Sequence, residues 1–154
     1  MILKARRIKE QNLLLNFNKK SIVKTITAAL VDDDKIFQFI TGKILKALPE
    51  INKTLQFGNG QEFYDYICKN YNEADALPDV VFLDIQMPFM DGWQFMQEFT
   101  NLDFKLAKDI NINILSSSIS LYDKEKAKIY KDIKNYFVKP IAKEEFPKII
   151  SAFL

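Results

Sequence analysis

Val80-Val81-Phe82-Leu83-Asp84-Ile85-Gln86-Met87-Pro88 is a run of four apolar residues, three of them β-branched or aromatic, that ends in a lone carboxylate. A run of this length and type suits a strand buried on both faces. Pro88 and the Asp91-Gly92 pair then mark a loop. Asp84 is therefore expected at the carboxyl end of a central strand, the edge of an open α/β sheet where ligands bind. Taken alone, Asp84 reads better as a capping or loop aspartate. The rest of the chain changes that reading.

Upstream, Ile22 to Val31 reads as the first strand and stops at Asp32-Asp33-Asp34. From Lys35 the period changes, with Ile36, Phe37, Ile40, Ile44, Leu45 and Leu48 on one helical face. An aspartate at the junction can cap that helix. Thr54 to Phe57 reads as a short strand, Gly58-Asn59-Gly60 as a turn, and Phe63, Tyr66, Ile67 and Tyr71 as the apolar face of a second helix. Downstream, Gly92 opens a third helix with Phe95, Met96 and Phe99 at helical spacing. Ile110 to Leu115 reads as a strand that ends at Ser116-Ser117-Ser118, and Ser120 to Asp123 resembles a capping box for a fourth helix. Ile133 to Val138 reads as the last strand, ending at Lys139-Pro140, and Glu144 to Phe153 as the last helix, with Pro147 near its first turn. The alternation predicts an α/β fold: a doubly wound, five-stranded parallel sheet with helices on both faces and right-handed crossovers.

The composition narrows the chemistry. A chain of 154 residues that is 48% hydrophobic and 27% charged suits one globular domain with a real core. It contains no histidine, which excludes His-based acid/base catalysis, His metal sites and a role as a histidine phosphodonor. Cys68 is the single cysteine, so there is no internal disulfide or cysteine metal cluster, and a reducing, cytoplasmic setting is expected. No apolar run approaches a membrane span, and the basic amino terminus lacks the apolar stretch of a secretory signal. Residues 1–24 carry a formal charge of +6 and residues 25–154 a charge of −4. The basic extension reads as a solvated tail or a helix docked on the body or on a second copy. Its seven cations, with little aromatic interleaving, are weak grounds for nucleic-acid binding.

The strand ends carry the function. The first strand ends in Asp32 and Asp33, the third in Asp84, the fourth in Ser116 and the fifth in Lys139. In a parallel sheet these ends share one edge, so three carboxylates, a hydroxyl and an ammonium converge on one crevice. Three carboxylates repel unless a cation joins them. Their hard oxygens suit Mg²⁺, and no imidazole or thiolate is present to favour zinc. Lys139 brings the local charge near zero and, with Ser116, faces where a phosphoryl group would sit. This is equipment for phosphoryl transfer, with Asp84 as the nucleophile of an aspartyl-phosphate.

Ala29-Leu30-Val31-Asp32-Asp33-Asp34, the stretch Val81 to Gly92, Ile114 to Ser118 and Tyr136 to Pro140 resemble the successive signatures of the receiver domain of two-component response regulators, of the stand-alone, chemotaxis-regulator-like kind. The resemblance covers residues 25–154 and leaves 1–24 as an extension. It implies a flavodoxin-like strand order, 2-1-3-4-5. It also implies phosphorylation of Asp84 by a sensor histidine kinase or histidine phosphotransfer protein, with Mg²⁺ held by Asp33, Asp84 and the Gln86 backbone carbonyl, and with Asp32 acting through a metal-bound water. Ser116 and Tyr136 would be the switch residues, altering the face made by the fourth helix, fifth strand and fifth helix. Serine stands at 116 where threonine is commoner, and Asn135 where a glycine often precedes the aromatic. Gln86 and Ser118 occupy variable positions that influence how long the phosphoryl group lasts.

The expectation is a receiver without an output domain that signals to a downstream protein target, with a homodimer open. It would catalyse only its own phosphoryl transfer and slow autodephosphorylation. The alternative is a phosphatase or phosphotransferase of the aspartyl-phosphate kind. Those enzymes typically carry a second Asp two residues after the nucleophile, where this chain has Gln86.

Overall fold

The computed structural model of the chain describes residues 2–18 and 24–154. It begins with a helix, α1 (Ile2–Asn18), within the basic extension, whose residues 2–12 are exposed. Five parallel strands follow: β1 (Ile26–Val31), β2 (Ile51–Phe57), β3 (Val80–Leu83), β4 (Asn111–Ser116) and β5 (Ile133–Val138). They lie in the order β2-β1-β3-β4-β5. The predicted start of the first strand, Ile22 and Val23, and the basic pair Lys19-Lys20 lie outside the described residues.

Four helices connect the strands, α2 (Lys35–Lys46), α3 (Gly60–Asn70), α4 (Gly92–Thr100) and α5 (Leu121–Ala127), and α6 (Glu145–Ser151) follows the last strand. Successive side chains of a strand point to opposite faces, so the sheet divides the core in two. Ala29, Val31, Val81, Leu83, Ile112 and Ile114 pack under Phe63 and Ile67 of α3 and Phe95, Met96 and Phe99 of α4. Ala28, Leu30, Val80 and Phe82 pack under Leu45 of α2 and Phe146, Ile149 and Ile150 of α6. β1 and β3 are buried along their whole length, which is why both read as unbroken apolar runs.

Three readings of the sequence need correction. β2 starts at Ile51 rather than Thr54. It is an edge strand, and Asn52 and Lys53 face solvent, which hid its first residues. The buried line of α2 is Gln38, Thr41, Gly42 and Leu45, while Ile36 and Ile40 are 73% and 53% exposed. Phe37, Ile44 and Leu48 keep a partial place against the core. A polar side chain sets this rotation. The Gln38 amide donates at 2.6 Å to both the Asp32 and the Phe57 carbonyls, which are backbone acceptors buried at the ends of β1 and β2. Finally, the Ser120 side chain makes no capping bond on α5, and the Asp123 carboxylate that would complete a capping box accepts instead from Trp93 and Ser118.

Leu45→Ala should lower unfolding free energy by about 2–4 kcal/mol in urea titration. Ile40→Ala, on the exposed side of α2 despite its place in the apolar pattern, should stay within about 0.5 kcal/mol of the parent.

Candidate functional site

The ladder of the sheet continues one residue beyond three of the strands. The Asp32 N–H donates to the Phe57 carbonyl at 3.0 Å, Asp84 N–H to the Val31 carbonyl at 2.9 Å, and Lys139 N–H to the Ser116 carbonyl at 2.8 Å. Backbone bonds thus fix the Cα positions of these three residues at the carboxyl edge. The side chains meet there. One oxygen from each of Asp32, Asp33 and Asp84 lies within 4.8 Å of the others. Lys139 Nζ is 2.5 Å from Asp32 Oδ2 and 3.6 Å from Asp84 Oδ2. Its ammonium also sits 4.2 Å from the centre of the Phe37 ring, a cation–π contact.

Asp32 and Asp84 are buried and Asp33 is exposed. Burial pushes the Asp84 carboxyl up to about 6, against the pull of Lys139 and of the Gln86 N–H, and with a further push from Asp32 and Asp33. An acidic residue with a raised pKa beside a lysine in a crevice marks a functional candidate on physical grounds. Carboxylates from separate strand ends, with no thiolate or imidazole among them, suit a hard divalent cation such as Mg²⁺.

The loops are shaped to present Asp84. Gln86 N–H bonds Asp84 Oδ1 at 3.2 Å, while the Gln86 side chain is exposed. Asp91 caps α4 through a full capping box with Gln94. A Cβ at Gly92 would lie 2.5 Å from the Asp84 carbonyl oxygen, so only glycine fits there. Phe89, in the same loop, takes φ 65° and is 89% exposed. Asp34 caps α2 by accepting from the Ile36 and Phe37 N–H groups. The Lys139–Pro140 peptide is cis.

Ser116 is fully buried at the end of β4, and its Oγ accepts from Ser118 N–H at 3.0 Å. Tyr136 is half-buried and donates its hydroxyl to the Ser118 carbonyl at 2.9 Å. Asp32, Asp33, Asp84, Gln86, Ser116 and Lys139 therefore lie at the carboxyl edge or in the loops above it, and Tyr136 lies within β5, two residues before its end. Phe37 and Gln38 were not singled out. One is a ring in an apolar helix pattern and the other a lone amide within it, and only the packing of α2 over the β1 and β2 ends gives them their contacts.

Residues 28–151 match the family model described as the response regulator receiver domain. Protein PilG of Pseudomonas aeruginosa is 37% identical over 79 residues, 51% of this chain and 56% of that protein. The protein-glutamate methylesterase/protein-glutamine glutaminase of Treponema pallidum is 30% identical over 92 residues, 60% of this chain and 20% of that protein. The chain thus spans between a fifth and a little over half of these relatives. A two-component response regulator from Cytophaga hutchinsonii has the same fold, with a TM-score of 0.74 at 22% identity over 84% of this chain and 97% of that one. So does chemotaxis protein CheY4 of Vibrio cholerae, with a TM-score of 0.66 at 21% identity over 84% of this chain and 99% of that one.

Two outcomes follow from the geometry. In metal-free protein, folded Asp84 holds a proton that the unfolded chain has released between about pH 4 and pH 6. The stability this group contributes is present below about pH 4 and withdrawn as pH rises through about 6. Asp84→Asn should flatten that slope in thermal melts across the window. Phe89→Asn, which tolerates a left-handed backbone better, should raise stability by about 1 kcal/mol in urea titration.

Proposed function

The chain belongs to the response regulator receiver domain family of two-component systems, and on that basis we propose that it accepts a phosphoryl group on Asp84 from a sensor histidine kinase or histidine phosphotransfer protein. The observation that carries this reading is the joint placement of Asp32, Asp33, Asp84 and Lys139 at one sheet edge. A carboxylate oxygen of Asp84 attacks the phosphorus of a phosphohistidine. The new P–O bond forms as the P–N bond breaks, and the partner imidazole leaves with its electron pair. Asp33, Asp84 and the Gln86 backbone carbonyl would hold Mg²⁺, with Asp32 acting through a bound water. When bound, the ion supplies charge neutralisation for the carboxylates and for the incoming phosphoryl oxygens. Lys139 gives the same oxygens a positive partner, and the Ser116 hydroxyl gives them a donor.

The chain on this reading is not an enzyme toward other substrates. Its chemistry is its own phosphorylation and slow dephosphorylation, and Gln86 stands where a phosphatase of the aspartyl-phosphate kind would need an acid/base carboxylate. Ser116 and Tyr136 switch the face formed by α5, β5 and α6. The exposed Ile119, Leu121, Tyr122 and Ile129 around α5 give that face the apolar area a downstream protein would bury. No helix among the described residues is long and apolar enough to cross a membrane, and we place the protein in the cytoplasm, where its kinase partner would act.

Incubation with acetyl phosphate and Mg²⁺ should add the mass of one phosphoryl group to the wild type and none to Asp84→Ala. Chelation of the metal should abolish the addition, and Lys139→Ala should slow it roughly tenfold or more. Equal labelling of wild type and Asp84→Ala would overturn the reading.

A further inference from the structure

Lys139 reaches into the crevice on a flexible four-carbon stem, and its ladder bond to the Ser116 carbonyl fixes only the backbone. Its ammonium has three neighbours. Asp32 Oδ2 lies 2.5 Å from Nζ and Asp84 Oδ2 3.6 Å. The third is an aromatic face, that of Phe37, whose centre is 4.2 Å from Nζ. That ring stands on a fixed piece of backbone. The Phe37 N–H donates to Asp34 Oδ1 at 3.0 Å, and the next side chain, Gln38, donates to the Asp32 and Phe57 carbonyls at 2.6 Å. The ring itself packs, partly buried, against the core cluster that holds Phe82 and Phe146. The first turn of α2 therefore delivers an aromatic face to the ammonium of β5.

We propose that Phe37 is a positioning residue for phosphoryl transfer, its ring face holding the Lys139 ammonium beside Asp84. The proposal rests on the phosphoacceptor reading of Asp84. A further carboxylate in place of the ring would cancel the charge of the lysine. An aromatic face attracts the ammonium through its quadrupole and leaves that charge in place for the phosphoryl oxygens. The position is productive as it stands. Nζ is within ion-pair distance of Asp84 Oδ2, so oxygens on a group bonded to Asp84 come within its reach with no displacement of the lysine required. The Lys139 side chain is only 16% exposed, and desolvation strengthens a cation–π contact. Loss of the ring frees the stem and admits water around the ammonium. Transfer then slows, because the lysine must be brought back into place at the expense of its rotamer freedom.

The test uses the full chain with acetyl phosphate and Mg²⁺, so that no docking protein takes part. Phe37→Leu should be labelled roughly three- to tenfold more slowly than wild type, and Phe37→Tyr at close to the wild-type rate. Mono-, di- and trifluorinated phenylalanine in place of Phe37 should slow labelling step by step. Fluorine withdraws electron density from the ring face while its shape and apolar area stay nearly the same. In the Lys139→Ala background, Phe37→Leu should cause no further slowing, because the ring acts through the lysine. In the unphosphorylated chain, the Lys139 ε-methylene protons should show an upfield ring-current shift by NMR that disappears in Phe37→Leu. A ring that served packing alone would lower the melting temperature of Phe37→Leu and leave the fluorinated series flat, and that result would overturn the proposal. Further slowing in the Lys139→Ala background, or unshifted protons in wild type, would overturn it also. If wild type takes no phosphoryl group, the reading of Asp84 fails and this proposal falls with it. If wild type is labelled and the fluorinated series is flat, the role of Phe37 alone fails.

Discussion

Three backbone hydrogen bonds that prolong the sheet by one residue hold the site in place: Asp32 to Phe57, Asp84 to Val31, and Lys139 to Ser116. Their donors belong to the residues whose side chains meet in the crevice. The positions of two carboxylates and an ammonium are therefore set by the most cooperative structure in the molecule. The loops that follow add the third carboxylate, Asp33, and the Gln86 backbone.

That rigidity creates an electrostatic problem which the fold leaves partly unsolved. Lys139 lies closer to Asp32 than to Asp84, and the Phe37 ring beneath its ammonium favours it where it is. Asp84 keeps a carboxyl whose ionised form is penalised by burial. A group in that state gains from anything that brings positive charge or a covalent bond to its oxygen. The same desolvation that weakens the metal-free fold above about pH 6 strengthens each charged contact made inside the crevice.

The parts of the fold legible in the sequence were those buried on both sides. β1 and β3 announce themselves as apolar runs because neither face meets water, and their terminal aspartates stand out against them. β2 was blurred because an edge strand tolerates Asn52 and Lys53. The face of α2 was misjudged because hydrophobicity was taken to decide burial, whereas the Asp32 and Phe57 carbonyls at the sheet edge both accept from the Gln38 amide and draw it inward. Ser120 and Asp123 have the spacing of a capping box, but Trp93 is thirty residues upstream of the carboxylate it binds. Local sequence spacing carries no information about a partner at that distance. The motif Asp91-Gly92, by contrast, was legible and now has a mechanical reason, since Asp91 caps α4 and Gly92 leaves room for the Asp84 backbone.

Phe89 gives the site a different kind of freedom. Its ring stands almost wholly in solvent at the lip of the crevice, on a backbone conformation that most residues resist. Nothing in the core depends on that ring, so replacement there leaves the clustered carboxylates undisturbed. The lip of the crevice can accordingly change its chemistry at Phe89 without disturbing the packing beneath it.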